Sequence, residues 1–381
     1  MTDRGDPFVL HARTITSTGG GPEKTLLNSP RFLKKHGYDS ACMFFHPPND
    51  PGFQVQRERA TKVGAPLVEV IDRSRFDITA IRTAIKYCRE ASVDIWHAHD
   101  YKTNLLGLIA RRFHPMKLIT TAHGWVNFDG NTPRYYQWDK RWFLPRYEHV
   151  ICVSETVQQQ CLAAGLRQSK CHLIHNAIDT EAFRRTRHCN VANSDQLNFK
   201  DKTLVIGSIG RLSEEKGFDL LIDAFCKLLG NGVNAKLVIA GEGKERSALA
   251  AQIADAGMEH QIVLTGFQED TRAFYESLDI FVLSSHREGL PNVLLEAMAV
   301  EVPVLATEVG GVSKVVEHDF NGILIQPGSV DEIYAGLSRL AECEALRRRL
   351  SEAGLKTIQQ KWSFADRMKK IVQMYDQMLG S

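Results

Sequence analysis

The sequence predicts an α/β protein made of two doubly wound, Rossmann-like halves, each a parallel sheet covered by helices on both faces. Two observations lead to this. Short apolar runs of strand length alternate with longer amphipathic runs along the chain, as in a parallel sheet sandwiched by helices. The alternation lapses in a polar stretch rich in Arg and Asn at 184–202 and restarts at Leu204, in a chain whose 381 residues are long for one core.

Taken in order, the first half offers strands at 8–10, 40–45, 67–71, 95–97, 117–121, 149–153 and 171–175. Each is a short apolar run, as expected of strands buried on both faces. Helices are expected between them at 24–35, 78–90, 101–112 and 155–164. The second half continues with strands at 204–209, 236–240, 261–264, 280–283, 302–306 and 323–325. Each half thus has strands enough for its own sheet, and such sheets bind ligands beyond the carboxyl ends of their strands. The patternless stretch between the halves reads as a linker. Last, Phe364, Met368, Ile371, Val372, Tyr375, Met378 and Leu379 recur at helical spacing and predict an amphipathic helix over 364–379. Periodicity does not say which half it packs on.

Composition narrows the function. Lys and Arg number 47 against 45 Asp and Glu, a net charge of +2, which argues against a nucleic-acid partner. The eight cysteines are scattered with no Cys-x-x-Cys pair, so they read as reduced thiols and not as a zinc site or disulfide framework. The N-terminus lacks the apolar stretch of a signal peptide, and no apolar run approaches the ~18 residues of a spanning helix. The expectation is a cytoplasmic protein that meets a membrane at most from one side.

The most informative stretch is 285–299, Ser-His-Arg-Glu-Gly-Leu-Pro-Asn-Val-Leu-Leu-Glu-Ala-Met-Ala. Pro291 pushes Leu290 toward extended geometry and itself suits the start of a helix. Glu288 then lies in a loop and Glu296 about one and a half turns into the helix, at ~3.6 residues per turn. Free amides of the first turn would hold an anion between two carboxylates that accept hydrogen bonds from hydroxyls. A nucleotide sugar, with hydroxyls on both sides of its phosphates, fits this arrangement.

Three further constellations follow strands. Gly19-Gly20-Gly21-Pro22-Glu23 lies between the first strand and the first long helix, where its backbone can approach a phosphate or sugar. Gly210-Arg211 to Lys216-Gly217 occupies the equivalent place in the second half, with a planar fork and a point charge that suit a diphosphate. His97, His99 and His123 end two strands of the first half; as metal ligands they lack an acidic cluster to complete the set, and a ligand-lining role fits them better. A basic, aromatic stretch at 134–147 places Trp138 and Trp142 four apart on one face, as on a helix lying on anionic lipid or packed against its own domain, and Pro145 interrupts it.

In order along the chain, the glycine loop with Glu23, Thr121-Ala122-His123-Gly124, Val153-Ser154-Glu155, 174–179, Gly210-Arg211 to Lys216-Gly217, Ala240-Gly241-Glu242-Gly243 and the Glu288 to Glu296 run resemble the retaining glycosyltransferases of family 4, the glycosyl transferases group 1. Singly these are weak, and the ordered set is specific. Ser284 stands where the family usually has proline, and Glu301 where it usually has glycine.

The resemblance implies a GT-B fold: two Rossmann-like domains facing across a cleft, with the C-terminal helix crossing back to the first. Residues 1–185 with 363–381 would form the acceptor domain, 186–202 the linker and 203–362 the nucleotide-sugar donor domain. It implies that Arg211 and Lys216 bind the diphosphate without a metal or other cofactor, and that Glu296 holds the ribose. Glu288 and the backbone of Gly289, Leu290, Pro291, Asn292 and Val293 would bind the donor sugar. Gly210 would line the phosphates, the base would stack near Gly266 and Phe267, His123 would lie beside the reacting sugar, and Gly20 and Gly21 would close over the phosphate. Asn176, His99 and Asp100 fall on the acceptor side. Expected partners are a nucleotide sugar, UDP before GDP, and a glycan or lipid-linked acceptor in cell-envelope polysaccharide synthesis, with inner-membrane contact through 134–147. A nucleotide-sugar epimerase of the same form is the competing reading, and it would need acid and base carboxylates in the cleft. A dinucleotide-dependent dehydrogenase is disfavoured by the missing Gly-x-Gly-x-x-Gly after either first strand.

Overall fold

The computed structural model describes residues 5–16, 21–74, 76–125, 134–186 and 203–380. They fall into two compact units, one holding the chain up to His175 and from Ala365 onward, the other Asn176–Phe364.

Unit 1 is built on β1 (Phe8–Thr14), β2 (Asp39–His46), β3 (Leu67–Ile71), β4 (Ile95–Ala98), β5 (Lys117–Ala122), β6 (His149–Cys152) and β7 (Cys171–Leu173). Its order is β3-β2-β1-β4-β5-β6-β7, with every pairing parallel. Both faces are covered. On β2, Ala41, Met43 and Phe45 enter one apolar cluster while Cys42 and Phe44 enter another on the opposite face, as alternation along a strand requires. The helices are α1 (Gly21–Lys34), α2 (Phe53–Val63), α3 (Ile78–Glu90), α4 (Tyr101–Arg111), α5 (Arg134–Trp138) and α6 (Glu155–Ala163). A π-helical turn (Asp139–Phe143) and a 3-10 turn (Leu144–Arg146) follow α5.

Unit 2 carries β8 (Leu204–Ile209), β9 (Ala235–Ala240), β10 (Ile262–Gly266), β11 (Ile280–Leu283), β12 (Val304–Thr307) and β13 (Ile323–Ile325). They run β10-β9-β8-β11-β12-β13, again parallel. Phe281 and Leu283 pack on one side of this sheet and Ile280 and Val282 on the other. Its helices are α7 (Phe218–Gly230), α8 (Arg246–Asp255), α9 (Thr271–Glu276), α10 (Asn292–Ala299), α11 (Val312–Val315), α12 (Val330–Glu342) and α13 (Glu344–Lys361).

In both sheets strand order reverses beside the first strand, between β1 and β4 and between β8 and β11. A crevice opens at such a switch point because the flanking connections leave to opposite faces.

The last helix, α14 (Phe364–Leu379), belongs to unit 1. Tyr38 Oη donates to Asp376 Oδ1 at 2.5 Å, Tyr375 Oη meets His97 Nδ1 at 2.6 Å, and Arg367 Nε donates to the His175 carbonyl at 3.1 Å.

Two expectations are corrected. The first unit ends at 175 and not at 185, because Ile178 bonds to Trp362 and Phe364 through its backbone at 2.9 Å each and, with Phe183, packs in the core of unit 2. The strand expected at 302–306 starts at Val304, since Pro303 has no N–H to give the ladder. Of the linker expected at 186–202, residues 187–202 lie outside the described residues.

Candidate functional site

A set of polar contacts joins two loops of unit 2 at its switch point. After β8 the chain makes a 3-10 turn, Glu214–Lys216, which closes on Gly217. Gly217 has φ +59°, and a Cβ there would stand 2.4 Å from the Ser284 carbonyl oxygen, so glycine alone lets this loop approach the one after β11. The two loops are then tied by His286 N–H to the Glu215 carbonyl at 2.8 Å and by Ser284 Oγ to the Lys216 carbonyl at 2.9 Å.

This seam delivers Lys216 Nζ to 2.7 Å from Glu288 Oε1, which also accepts from Ser285 Oγ at 2.7 Å. The carboxylate is 9% exposed and the ammonium 21%. From the other side, Gly310 lies so close to the Glu288 carbonyl that a Cβ would be 1.9 Å from it, and Gly311 N–H donates to the Gly289 carbonyl at 2.7 Å. Glu288 is therefore held from three directions.

Pro291 is the residue that precedes α10, with extended backbone at φ −75° and ψ 116°, and no side chain caps the helix. The first-turn amides of Asn292 and Val293 are left for an anion. Asn292 Oδ1 is buried with no hydrogen-bond partner among the described residues. Glu296 is 5% exposed and accepts from Tyr275 Oη at 3.0 Å. Burial, with the Glu296 charge beside it, holds the Tyr275 phenol well above its ordinary range, so the hydroxyl stays a donor.

Arg211 is exposed and its side chain has no hydrogen-bond or ion-pair partner among the described residues. Gly210 sits beneath the Lys216 stem, 3.6 Å from its Cε to an ideal Cβ. At the end of β10, Gly266 turns at φ +76° and leaves Phe267 45% exposed. Leu290 packs against the core of unit 2.

The corresponding edge of unit 1 holds a buried group of imidazoles. His11 Nδ1 lies 3.1 Å from His99 Nε2, and His97 stacks on His99 with ring centres 4.3 Å apart. His123 follows β5, its ring 5.9 Å from that of His99. Burial holds all four well below the usual imidazole range, His11 at about 3. They are neutral at pH 7. Arg13 pairs with Glu23 at 2.5 Å and donates to the His99 carbonyl at 3.2 Å. Asp100 is the N-cap of α4, accepting from Thr103 N–H at 2.9 Å and from Thr14 N–H at 2.7 Å. Both of its oxygens thus serve the fold.

Three of these imidazoles, His11, His97 and His99, offer nitrogens within 4.8 Å of one another. Convergence on an ion is poor: His97 spends both nitrogens on Thr121 Oγ1 at 2.8 Å and Tyr375 Oη at 2.6 Å, and its plane lies 20° from that of His99. Stacked rings aim their lone pairs side by side and not at one point.

The structure thus joins Lys216, Glu288 and the start of α10 in one place, with Arg211 on the same loop. Asn176 stands at the boundary where unit 2 begins. Gly20 lies outside the described residues, and Gly21 opens α1. Ser285, Tyr275 and His11 were not picked out from sequence. Only His11 left a trace, since the parallel register sets it opposite His97.

Comparison with known proteins adds an independent line. The profile of Glycosyltransferase Family 4 matches residues 19–182, and that of Glycosyl transferases group 1 matches residues 191–357. The chain is 30% identical over 298 residues to an uncharacterized glycosyltransferase of Methanocaldococcus jannaschii, covering 74% of this chain and 75% of the other. It is 24% identical over 312 residues to the UDP-Gal:alpha-D-GlcNAc-diphosphoundecaprenol alpha-1,3-galactosyltransferase of Escherichia coli, covering 80% of each. Among solved structures, Anabaena HepE in complex with UDP and glucose superposes with a TM-score of 0.80 at 20% identity, over 97% of this chain and 100% of that one. A glycosyltransferase from Rickettsia africae superposes with a TM-score of 0.79 at 17% identity, over 99% of both chains. These likenesses identify the two-sheet fold as GT-B.

Proposed function

The chain belongs to the glycosyltransferases of family 4, group 1, and on that premise we propose that it transfers a hexosyl or N-acetylhexosaminyl unit, with retention, from a UDP-sugar to a glycan or lipid-linked acceptor in cell-envelope polysaccharide synthesis. The observation that carries this is the Lys216–Glu288 pair at the unit 2 switch point, beside an uncapped helix start. The UDP in the Anabaena complex and the diphosphoundecaprenol acceptor in the E. coli relative's name support the donor and acceptor classes.

In this reading the bond from the anomeric carbon to the diphosphate oxygen breaks while the acceptor oxygen bonds to the same face of that carbon. The acceptor's hydroxyl proton passes to the departing phosphate oxygen. Arg211 and Lys216 offset the charge gathering on the leaving nucleotide, a preorganised role that asks for no metal. Glu288 orients the sugar hydroxyls, and Glu296, steadied by Tyr275, takes the ribose. Phe267 offers its face to the base. His123, kept neutral by burial, accepts or donates a hydrogen bond to the sugar without bringing a charge. Residues 134–147 rest on the inner face of the membrane, where a lipid-linked acceptor would be met.

The test is incubation with UDP- and GDP-sugars, with and without a lipid extract, followed by nucleotide release and by NMR of the product's anomeric configuration. Retention and acceptor-dependent release of UDP are expected. An inverted product overturns the mechanism, and an epimerised donor overturns the transferase reading for this site.

A further inference from the structure

Asp139 is a carboxylate of unit 1 with only 2% of its surface in water. It opens the π-helical turn after α5, which closes from Leu144 N–H to the Asp139 carbonyl. Such a turn is rare and holds one residue more than an α turn. The extra residue sets Asp139 on the inner face with Leu144, five positions on and fully buried. There the carboxylate accepts from two separate segments. Asn104 Nδ2 of α4 donates to one oxygen at 2.8 Å, and Trp125 Nε1 donates to the other at 3.2 Å. Lys140, the next residue, holds the same indole from its face, with Nζ 4.5 Å from the ring centre.

Trp125 stands two residues after His123. Gly124 between them turns at φ +103° and has no side chain to hold the turn, so Trp125 supplies the anchor. Asn104 lies in the first turn of α4, whose cap, Asp100, follows His99. One carboxylate thus ties the connection after β4 to the connection after β5. Its charge is finely balanced. Burial pushes the Asp139 carboxyl up to about 7, with Asp100 adding to the rise and Asn104, Trp125 and Lys140 opposing it. The other titratable groups around it are Tyr147 and Cys161, pushed up by burial and by the contact with Cys152 respectively, so neither is charged at pH 7. Asn104 Oδ1 is buried with no hydrogen-bond partner among the described residues. The amide can therefore turn to present that oxygen when Asp139 carries a proton.

We propose that Asp139 is a positioning residue for the transfer reaction: through Trp125 its carboxylate fixes the turn that carries His123, and with it the imidazole that meets the donor sugar. The inference rests on the role given to His123 above and adds a residue that touches no substrate. With Asp139 ionised, the bond from Trp125 is charge-assisted and the turn is held firmly. With Asp139 protonated, the bond is a neutral one and the turn loosens.

The test follows UDP release from a UDP-sugar with acceptor extract between about pH 6 and 8, alongside calorimetric titration with UDP. Wild-type turnover is expected to rise through about pH 7 as Asp139 ionises. Asp139→Asn keeps the shape, and Asn104 can turn its free oxygen to the new amide, so the variant should fold. Its turnover at pH 8 should fall by about tenfold, the difference between a charged and a neutral hydrogen bond, and the acid limb should vanish. Trp125→Phe, at a partly exposed position, should do the same and carries the test if Asp139→Asn melts early. The double variant should be no slower than the slower single one, and UDP affinity should hold in all three. His123→Ala separates the inference from the reading beneath it. Lowered turnover in His123→Ala beside wild-type turnover and pH profile in Asp139→Asn overturns the positioning role alone. Losses that add in the double variant, an acid limb that survives in both single variants, or UDP affinity that falls with turnover also overturn it, since a merely structural hub gives those results. Normal turnover in His123→Ala overturns the role of His123 and the inference together.

Discussion

Lys216 Nζ and Glu288 Oε1 stand 2.7 Å apart, joining the loop after β8 to the loop after β11. Their backbones are also tied, through Ser284 and His286, so the geometry does not depend on the ion pair alone. Lys216→Ala and Glu288→Ala are each expected to lower turnover by about 10²–10³, the scale for losing one preorganised electrostatic group. Melting should change little. Near-normal turnover in either variant, measured by nucleotide release, removes the role given to that residue.

Tyr275 is expected to tune donor affinity through Glu296. Tyr275→Phe removes a hydrogen bond to a buried carboxylate, which is worth about 1.5–3 kcal/mol when the acceptor is charged. Calorimetric titration with UDP should show affinity weakened by roughly 10- to 100-fold, while turnover at saturating donor stays close to wild type. Unchanged UDP affinity would show that Glu296 needs no such support.

At Gly310 the expected effect is on the frame. With φ +55° and the Glu288 carbonyl oxygen 1.9 Å from any Cβ, Gly310→Ala must move the loop that carries Glu288. The strain is on the order of 1–3 kcal/mol. Thermal unfolding should come several degrees earlier, and turnover should fall with it; a variant that melts like wild type contradicts the close approach.

The histidine group of unit 1 sets an acid limit. The folded His11 titrates at about 3 while the unfolded one titrates near 6.5. Between those values the unfolded chain holds the extra proton, so this contribution is complete above pH 6.5 and declines as pH falls toward 3. The slope is about 1.4 kcal/mol per pH unit for His11 alone, and His97, His99 and His123 shift in the same direction. Urea unfolding at pH 5 against pH 7 should show marked loss in the wild type and a shallower pH dependence in His11→Gln. Identical slopes would mean that His11 is not buried in its neutral form.

Much of the fold is legible in the sequence because strands buried on both faces must be continuous apolar runs, and those at 280–283 and 323–325 coincide with β11 and β13 residue for residue. Helix α2 escapes notice because its buried positions are Phe53, Gln56 and Ala60, and a polar residue in that stripe erases the period. The unit boundary escapes because 176–186 docks through Ile178 and Phe183 in the core of unit 2 and through Arg185 and Thr186 on Glu301 and Glu276, scattered contacts that leave no local pattern. In the site, Lys216 and Glu288 are visible as charged residues on loops that follow strands. Tyr275 reaches Glu296 by tertiary folding, 21 residues along the chain, and no spacing rule announces it; Ser285 meets Glu288 three residues on, inside a loop where no helix or strand period marks the contact. Glu301 is a case of the opposite kind: it stands where the family usually has glycine and adopts φ +59°, so the backbone kept the turn while the residue changed.

The most direct test of the central claim is nucleotide release from a panel of UDP-sugars by wild type and Lys216→Ala, each with and without acceptor extract. The account predicts UDP release that requires acceptor and drops by about 10²–10³ in the variant. Acceptor-dependent release that persists at wild-type rate in Lys216→Ala would contradict it.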